Sequence, residues 1–180
     1  MTRILLADDD RVVLFTLAEG LREAGFEVIE ARDGIEALAL CQSQAPDLAL
    51  LDIRMPRLDG LELARRLRAE TTVPFLFLSA YGDEEFVRRA VEIGALGYLI
   101  KPLHVAAIVP MIRTALARSN DLSGLQDALA SNRTIATAVG MLMKSEGMDQ
   151  PAAFEHLRQQ ARKERRKLED LAQEMVDSAG

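Results

Sequence analysis

The sequence predicts an α/β fold, a doubly wound five-stranded parallel sheet, followed by a small all-α unit of three helices. Three observations carry that expectation. Short apolar runs alternate five times with stretches whose apolar residues recur at spacings of three and four. All strand-like runs lie before residue 119, and so do all prolines except Pro151. Strands that alternate with helices imply right-handed crossovers, and therefore parallel neighbours.

The elements follow in order. Strands are expected at 3–7, 27–31, 47–51, 74–79 and 97–100. The first and third are almost continuously apolar, as strands covered by helices on both faces must be. Val13, Leu14, Leu17, Leu21 and Ala24 mark the first helix, which Gly25 stops. The second opens after Asp33-Gly34 and carries Ile35, Leu38, Ala39 and Gln42. Leu61, Ala64, Leu67 and Arg68 mark the third; Phe86, Val87, Ala90 and Ile93 mark the fourth, which ends at Gly94. A fifth begins near Val105, and Pro110 interrupts its pattern because proline has no N–H to offer the preceding turn.

Residues 119–124 read as a linker, although Leu122, Leu125 and Leu129 have the spacing to continue the fifth helix as a short coiled coil. The division is then 1–118, a linker at 119–124, and a helical unit at 125–180. Its first helix covers about 125–145. The second starts with Asp149 as N-cap and Pro151 in the first turn, and the third carries Leu168, Leu171, Ala172, Met175 and Val176. Ala153, Phe154 and Leu157 are expected in this unit's core, with Met141 and Met143 as filler.

Composition narrows the function classes. Of 180 residues, 49% are hydrophobic and 28% charged, which suits a folded domain and excludes a largely disordered chain. A net charge of −6 excludes a generally basic surface, so any nucleic-acid contact requires a local patch. No apolar run approaches the roughly 18 residues of a membrane span. The start of the chain lacks a secretory pattern. Cys41 has no second cysteine to pair with, which fits the reducing cytoplasm. His104 and His156 have no partner at metal-ligand spacing.

Chemistry gathers where strands end. Asp8-Asp9-Asp10 follow the first strand, Asp52 ends the third, Ser79-Ala80 end the fourth, and Lys101-Pro102 follow the fifth. In a parallel sheet these positions converge on one edge, where such folds hold their ligands. Crowded carboxylates repel one another unless a cation neutralises them, and hard oxygen donors in this number suit Mg²⁺. A carboxylate there can attack a phosphoryl group while lysine and hydroxyl stabilise its oxygens.

The helical unit holds a second charged feature. Arg158, Arg162, Arg165 and Arg166 recur along its second helix with Lys163 and Lys167 beside them, and Arg133 and Lys144 lie on the helix before. Such a face can neutralise phosphates. The alternative is a solvated helix whose cations pair with Glu155, Glu164 and Glu169.

Two resemblances extend these readings. Residues 4–9 (Ile-Leu-Leu-Ala-Asp-Asp), 50–60 (Leu-Leu-Asp-Ile-Arg-Met-Pro-Arg-Leu-Asp-Gly), Ser79-Ala80 and 97–102 (Gly-Tyr-Leu-Ile-Lys-Pro) resemble the receiver domain of two-component response regulators. That resemblance implies a flavodoxin-like strand order of 2-1-3-4-5. It implies that Asp52 accepts a phosphoryl group from a sensor histidine kinase. Asp9 would bind Mg²⁺ directly, Asp8 through water, and Asp52 and the Arg54 backbone carbonyl would complete the protein ligands. Lys101 would contact the phosphoryl oxygens, Ser79 would swing toward them, and Tyr98 would turn inward behind it. A cis Lys101–Pro102 peptide is also implied. Arg54 and Tyr81 are placed to hinder the in-line water and lengthen the phosphorylated state.

Residues 135–143, 153–158 and 167–172 are similar to the ANTAR domain, a three-helix RNA-binding module of transcription antitermination regulators. Many members carry lysine where Val139 stands and arginine where Asn132 stands, so Arg133 and Lys144 are left to supply the first helix's charge. The combined expectation is a cytoplasmic, phosphorylation-controlled regulator that binds RNA stem-loops, with phosphorylation favouring a homodimer through residues near 104–131. Its only enzymatic chemistry would be the receiver's own phosphotransfer and autodephosphorylation. Two alternatives are a DNA-binding response regulator and a receiver whose basic face docks an acidic protein.

Overall fold

β1 (Arg3–Ala7), β2 (Glu27–Ala31), β3 (Leu48–Asp52), β4 (Phe75–Ser79) and β5 (Tyr98–Ile100) form one parallel sheet in the order β2-β1-β3-β4-β5. The computed structural model describes residues 1–80 and 84–178. Contacts divide the chain into two units, Met1–Asn120 and Asp121–Gly180.

Alternate residues of each strand point to opposite faces. Leu5, Leu51 and Phe77 therefore join a core with Leu63 and Leu67 of α3 (Gly60–Glu70), Ala37 of α2 (Gly34–Gln44), and Ala90 and Ile93 of α4 (Glu84–Ile93). Ile4, Leu6, Leu50 and Leu78 join the opposite core with Leu17 and Leu21 of α1 (Arg11–Glu23), and Ile108 and Ile112 of α5 (Val105–Glu146). Each of the leucines, isoleucines and the phenylalanine among them contributes about 1.5–3 kcal/mol by leaving water. Three aspartates start three of the helices. Asp10, Asp33 and Asp59 accept backbone N–H bonds from the first turns of α1, α2 and α3.

The register sets the working edge. Ala7 lies opposite Leu51, Asp52 opposite Leu78, and Ser79 opposite Ile100. Asp8, Asp52, Ser79 and Lys101 consequently lie within about one residue of a common line across three neighbouring strands and the fifth.

The fifth helix departs from expectation. It runs unbroken from Val105 to Glu146, through Pro110 and through the whole of residues 119–124. Proline within a helix costs about 3 kcal/mol. Ile108, Ile112 and Ala115, all buried, offset it on the sheet-facing side. Residues 119–124 contain no proline, and a single glycine costs only about 1 kcal/mol there, so nothing local stops the helix.

In the second unit, α6 (Gln150–Glu164) starts at the expected Asp149 cap, and α7 (Leu168–Asp177) follows. Its core comprises Ala138, Val139, Leu142, Ala153, Leu157, Ala161, Leu171 and Ala172. Two expectations fail here. Phe154 is 41% exposed and Met143 38%, so neither is core filler. The buried stripe of α6 runs 153–157–161, and one residue further along a helix turns about 100° away from it. Leu122, Leu125 and Leu129 are also exposed. Among the described residues no helix is long and apolar enough to cross a membrane.

Candidate functional site

The edge of the sheet carries a cavity of about 380 Å³ lined by Asp8, Asp9, Asp52, Arg54, Ser79 and Lys101 among others. β1 delivers Asp8, fully buried, and β3 delivers Asp52, 5% exposed; Asp9 faces solvent. Lys101, one residue past β5, bridges the two buried carboxylates. Its Nζ lies 2.8 Å from Asp8 Oδ2 and 2.7 Å from Asp52 Oδ1. Backbone amides add to this: the Asp10 N–H donates to Asp8 Oδ1 at 3.0 Å, and the Arg54 N–H donates to Asp52 Oδ2 at 2.9 Å.

Burial raises the Asp8 pKa, and the nearby Asp52 charge pushes it the same way, against the opposing pull of Lys101 and the Asp10 amide. For Lys101, burial works against the charged form, but hydrogen bonds to Asp52 and Asp8 outweigh it and the ammonium is held more firmly than usual. Asp8, Asp9 and Asp52 each offer a carboxylate oxygen within 4.8 Å of the others. Such a set of hard donors under mutual repulsion fits Mg²⁺.

Ser79 ends β4, buried, and the Lys101 N–H donates to its carbonyl at 2.7 Å. Tyr98 starts β5, half-buried against the core that holds Phe77. The Lys101–Pro102 peptide is cis. Arg54 is exposed at the cavity wall, while Tyr81 lies outside the described residues.

Sequence reasoning passed over three supports of the site. A Cβ on Gly60 would stand 2.1 Å from the Asp52 carbonyl oxygen, so only glycine lets α3 begin this close to β3. Phe86 of α4 lines the cavity and stacks edge-on with Phe77, 5.6 Å between centroids. Asp33 caps α2 and pairs with Arg57, which occupies the left-handed region at φ 67°. Gly60 stood within the motif already noted, whereas the other two depend on tertiary proximity.

The basic residues of the second unit divide into two groups. Arg158 pairs with Glu155 at 3.3 Å and Lys167 with Glu169 at 3.4 Å. Arg166 reaches Glu174 at 2.5 Å and Glu164 at 3.5 Å, and these partners hold its pKa above the ordinary guanidinium value. Arg133, Lys144, Arg162, Lys163 and Arg165 form no ion pair among the described residues. The expected single face along one helix is shorter than the spacing suggested. α6 ends at Glu164, and Arg165 turns the chain at φ 54°. The Arg166 N–H donates to the Ala161 carbonyl and the Arg165 N–H to that of Arg162, a Schellman closure that places Arg166 and Lys167 in the turn before α7.

Comparison with known proteins agrees with both halves of this description. Residues 4–113 match the response regulator receiver domain and residues 123–176 match the ANTAR domain. The chain is 32% identical to the transcriptional regulatory protein PdtaR of Mycobacterium tuberculosis, over 99% of this chain and 91% of that protein. It is 36% identical to the transcriptional regulatory protein CseB of Streptomyces avermitilis, over 82% of this chain and 65% of the relative. Among solved structures, a CheY-like receiver domain protein from Methanospirillum hungatei superposes with a TM-score of 0.63 at 27% identity, covering 67% of this chain and 98% of that one. A response regulator from Chloroflexus aurantiacus gives 0.61 at 36% identity, covering 64% and 98%. With that sheet order, that acidic edge and both domain matches on one chain, the protein belongs to the two-component response regulators, with an N-terminal receiver domain and a C-terminal ANTAR domain.

Proposed function

We propose that the protein accepts a phosphoryl group on Asp52 from a sensor histidine kinase and, so modified, binds RNA stem-loops to prevent transcription termination. One observation carries the reading: a buried Asp8–Lys101–Asp52 cluster at the sheet edge shares a chain with a helical unit that exposes uncommitted cations. A carboxylate oxygen of Asp52 attacks phosphorus, and the bond from phosphorus to the kinase histidine nitrogen breaks, leaving its electron pair on the imidazole. Asp8, Asp9, Asp52 and the Arg54 carbonyl would hold Mg²⁺. When bound, this ion supplies positive charge against the phosphoryl oxygens.

Lys101 is within reach of the same oxygens, since it already spans Asp8 and Asp52. Its move from carboxylate to phosphate is coupled to Ser79 and Tyr98, whose rearrangement alters the surface beside α4 and β5. Arg54 stands at the cavity wall and hinders the attacking water, so Arg54→Asn shortens the phosphorylated lifetime. The functional division is a receiver at 1–118, a joining segment at 119–124 and an RNA-binding unit at 125–180. Leu122, Leu125 and Leu129, all exposed along α5, support a homodimer that phosphorylation favours, and the setting is the cytoplasm.

The test is direct. Asp52→Asn should take up no label from acetyl phosphate, and the phosphorylated wild type should retain stem-loop RNA over duplex DNA at matched salt. Label on the amide variant, or preference for the duplex, would sink the reading.

A further inference from the structure

We propose that a groove between α5 and the start of α6 receives an unpaired base from an RNA loop, an inference that rests on the RNA-binding function above. The groove has a volume of about 410 Å³, and Val139, Gly140, Met143 and Phe154 line it, with the amides of Asn132 and Gln150 among its walls. Phe154 as a residue is 41% exposed and Met143 38%, and both line the groove. Every aromatic ring offers a stacking surface to a base, whatever the base's identity.

The arrangement of charge selects the occupant. Among the described residues no charged side chain lines the groove. Just outside it, Asp149 is committed to capping α6 and Glu155 to pairing with Arg158, and cations stand beside them. Arg133 and Lys144 each follow a groove residue of α5 by one position, and Arg158 and Arg162 come one and two turns after Phe154 on α6. Arg133, Lys144 and Arg162 have no ion pair among the described residues. A nucleotide has the complementary pattern: a neutral, flat base with charged phosphates on either side. Neither the Asn132 nor the Gln150 side chain makes a hydrogen bond among the described residues. Each amide offers both a donor and an acceptor, as the edge of a base requires.

Gly140 points the same way. Glycine inside a helix is a poor helix former, and a Cβ at this position would meet nothing within 4 Å. Gly124 of the same helix is equally open, so internal packing explains neither; Gly140 differs in lining the groove, where a ligand can lie against the helix backbone.

The experiment uses the full chain with acetyl phosphate and hairpin RNAs of fixed stem and randomised loop, from which the wild type selects its binders. Affinity for those binders is then measured over a salt series. Gly140→Ala should raise the melting temperature and still weaken binding about tenfold, the scale of one lost stacking contact. Phe154→Ala should weaken it similarly, and Phe154→Tyr should restore it. In all three the slope of log affinity against log salt should stay at the wild-type value, because no phosphate contact is removed. Wild-type affinity in both alanine variants would overturn this inference while the proposed function stood, and would leave the groove to an apolar protein side chain. Loss confined to Phe154→Ala and accompanied by a fall in melting temperature would overturn it as well, by assigning the ring a structural role. Failure of the wild type to select any hairpin would overturn both.

Discussion

The acidic edge of the receiver and the basic surface of the helical unit handle charge in opposite ways. At the sheet edge two carboxylates are buried, and Lys101 and two backbone amides already satisfy them. On the helical unit the cations are solvated, and several have no partner among the described residues. Buried charge must be matched within the fold because desolvation is expensive, whereas exposed charge can wait for a partner at little cost. The first arrangement suits chemistry at a fixed point. The second suits recognition of a flexible polyanion, where affinity comes from counterions released at binding.

The sharpest way to break this contrast is to reverse the exposed charge. Arg162→Glu, Arg165→Glu and Arg166→Glu together should reduce stem-loop affinity by at least ~100-fold at moderate salt, through lost and reversed phosphate contacts. Filter binding over a salt series reads it, and an unchanged affinity would mean that this surface does not face RNA. The melting temperature should fall only slightly, since Arg166 has three-way contact with Glu164, Glu174 and the Asp170 carbonyl but the others are uncommitted.

The buried cluster should respond the other way round. Lys101→Met leaves Asp8 and Asp52 facing each other without their common counter-charge. Loss of a partner from a fully buried pair costs about 3–5 kcal/mol. Lys101 is 22% exposed, so ~2–3 kcal/mol is expected in urea unfolding without divalent cation. Added Mg²⁺ should recover part of that loss; a variant as stable as wild type would show that the cluster is not held by this ammonium.

Cys41 tests how dry the receiver core is. Burial pushes its thiol up to about 12 from 9.0. The unfolded thiol releases its proton near 9 while the folded one keeps it to about 12, so the associated stability is full below pH 9 and falls as pH rises through that interval. Iodoacetamide should accordingly label the native chain at pH 8 far more slowly than the urea-unfolded chain. Equal rates would contradict a buried thiol.

The smallest effect is expected at Arg165, whose φ of 54° favours glycine. Arg165→Gly should stabilise the helical unit by roughly 0.5–1 kcal/mol while removing one cation from the surface. A higher melting temperature together with a shallower salt slope for RNA would separate the two roles of this residue. Stabilisation without any change in slope would remove Arg165 from the interface.

Much of the receiver was legible in advance. Strand ends in an α/β pattern carry their chemistry in sequence order, so Asp8, Asp9, Asp52, Ser79 and Lys101 could be assembled on one edge from alternation alone. The second unit was less legible, for a geometric reason. Half of its core residues are alanines, and an alanine-rich stripe does not reveal which neighbour lies just off it; Phe154, one residue from buried Ala153, is expected in the core and stands in the open. Arg166 looked like one more cation on a helical face, but the left-handed Arg165 carries it into a turn and toward Glu174.

Periodicity and the order of strand-end residues were therefore sufficient for the sheet, its parallel sense and the convergence of acid and lysine, because those follow from local pattern and the handedness of crossovers. Tertiary contact alone decided the rest. Whether a helix survives Pro110 depends on the core behind it, and whether a cation is committed depends on which carboxylate another helix brings within reach. The first depends on residues far apart in the chain, and the second on a reversal between helices that brings Glu174 back to Arg166; periodicity within one helix encodes neither.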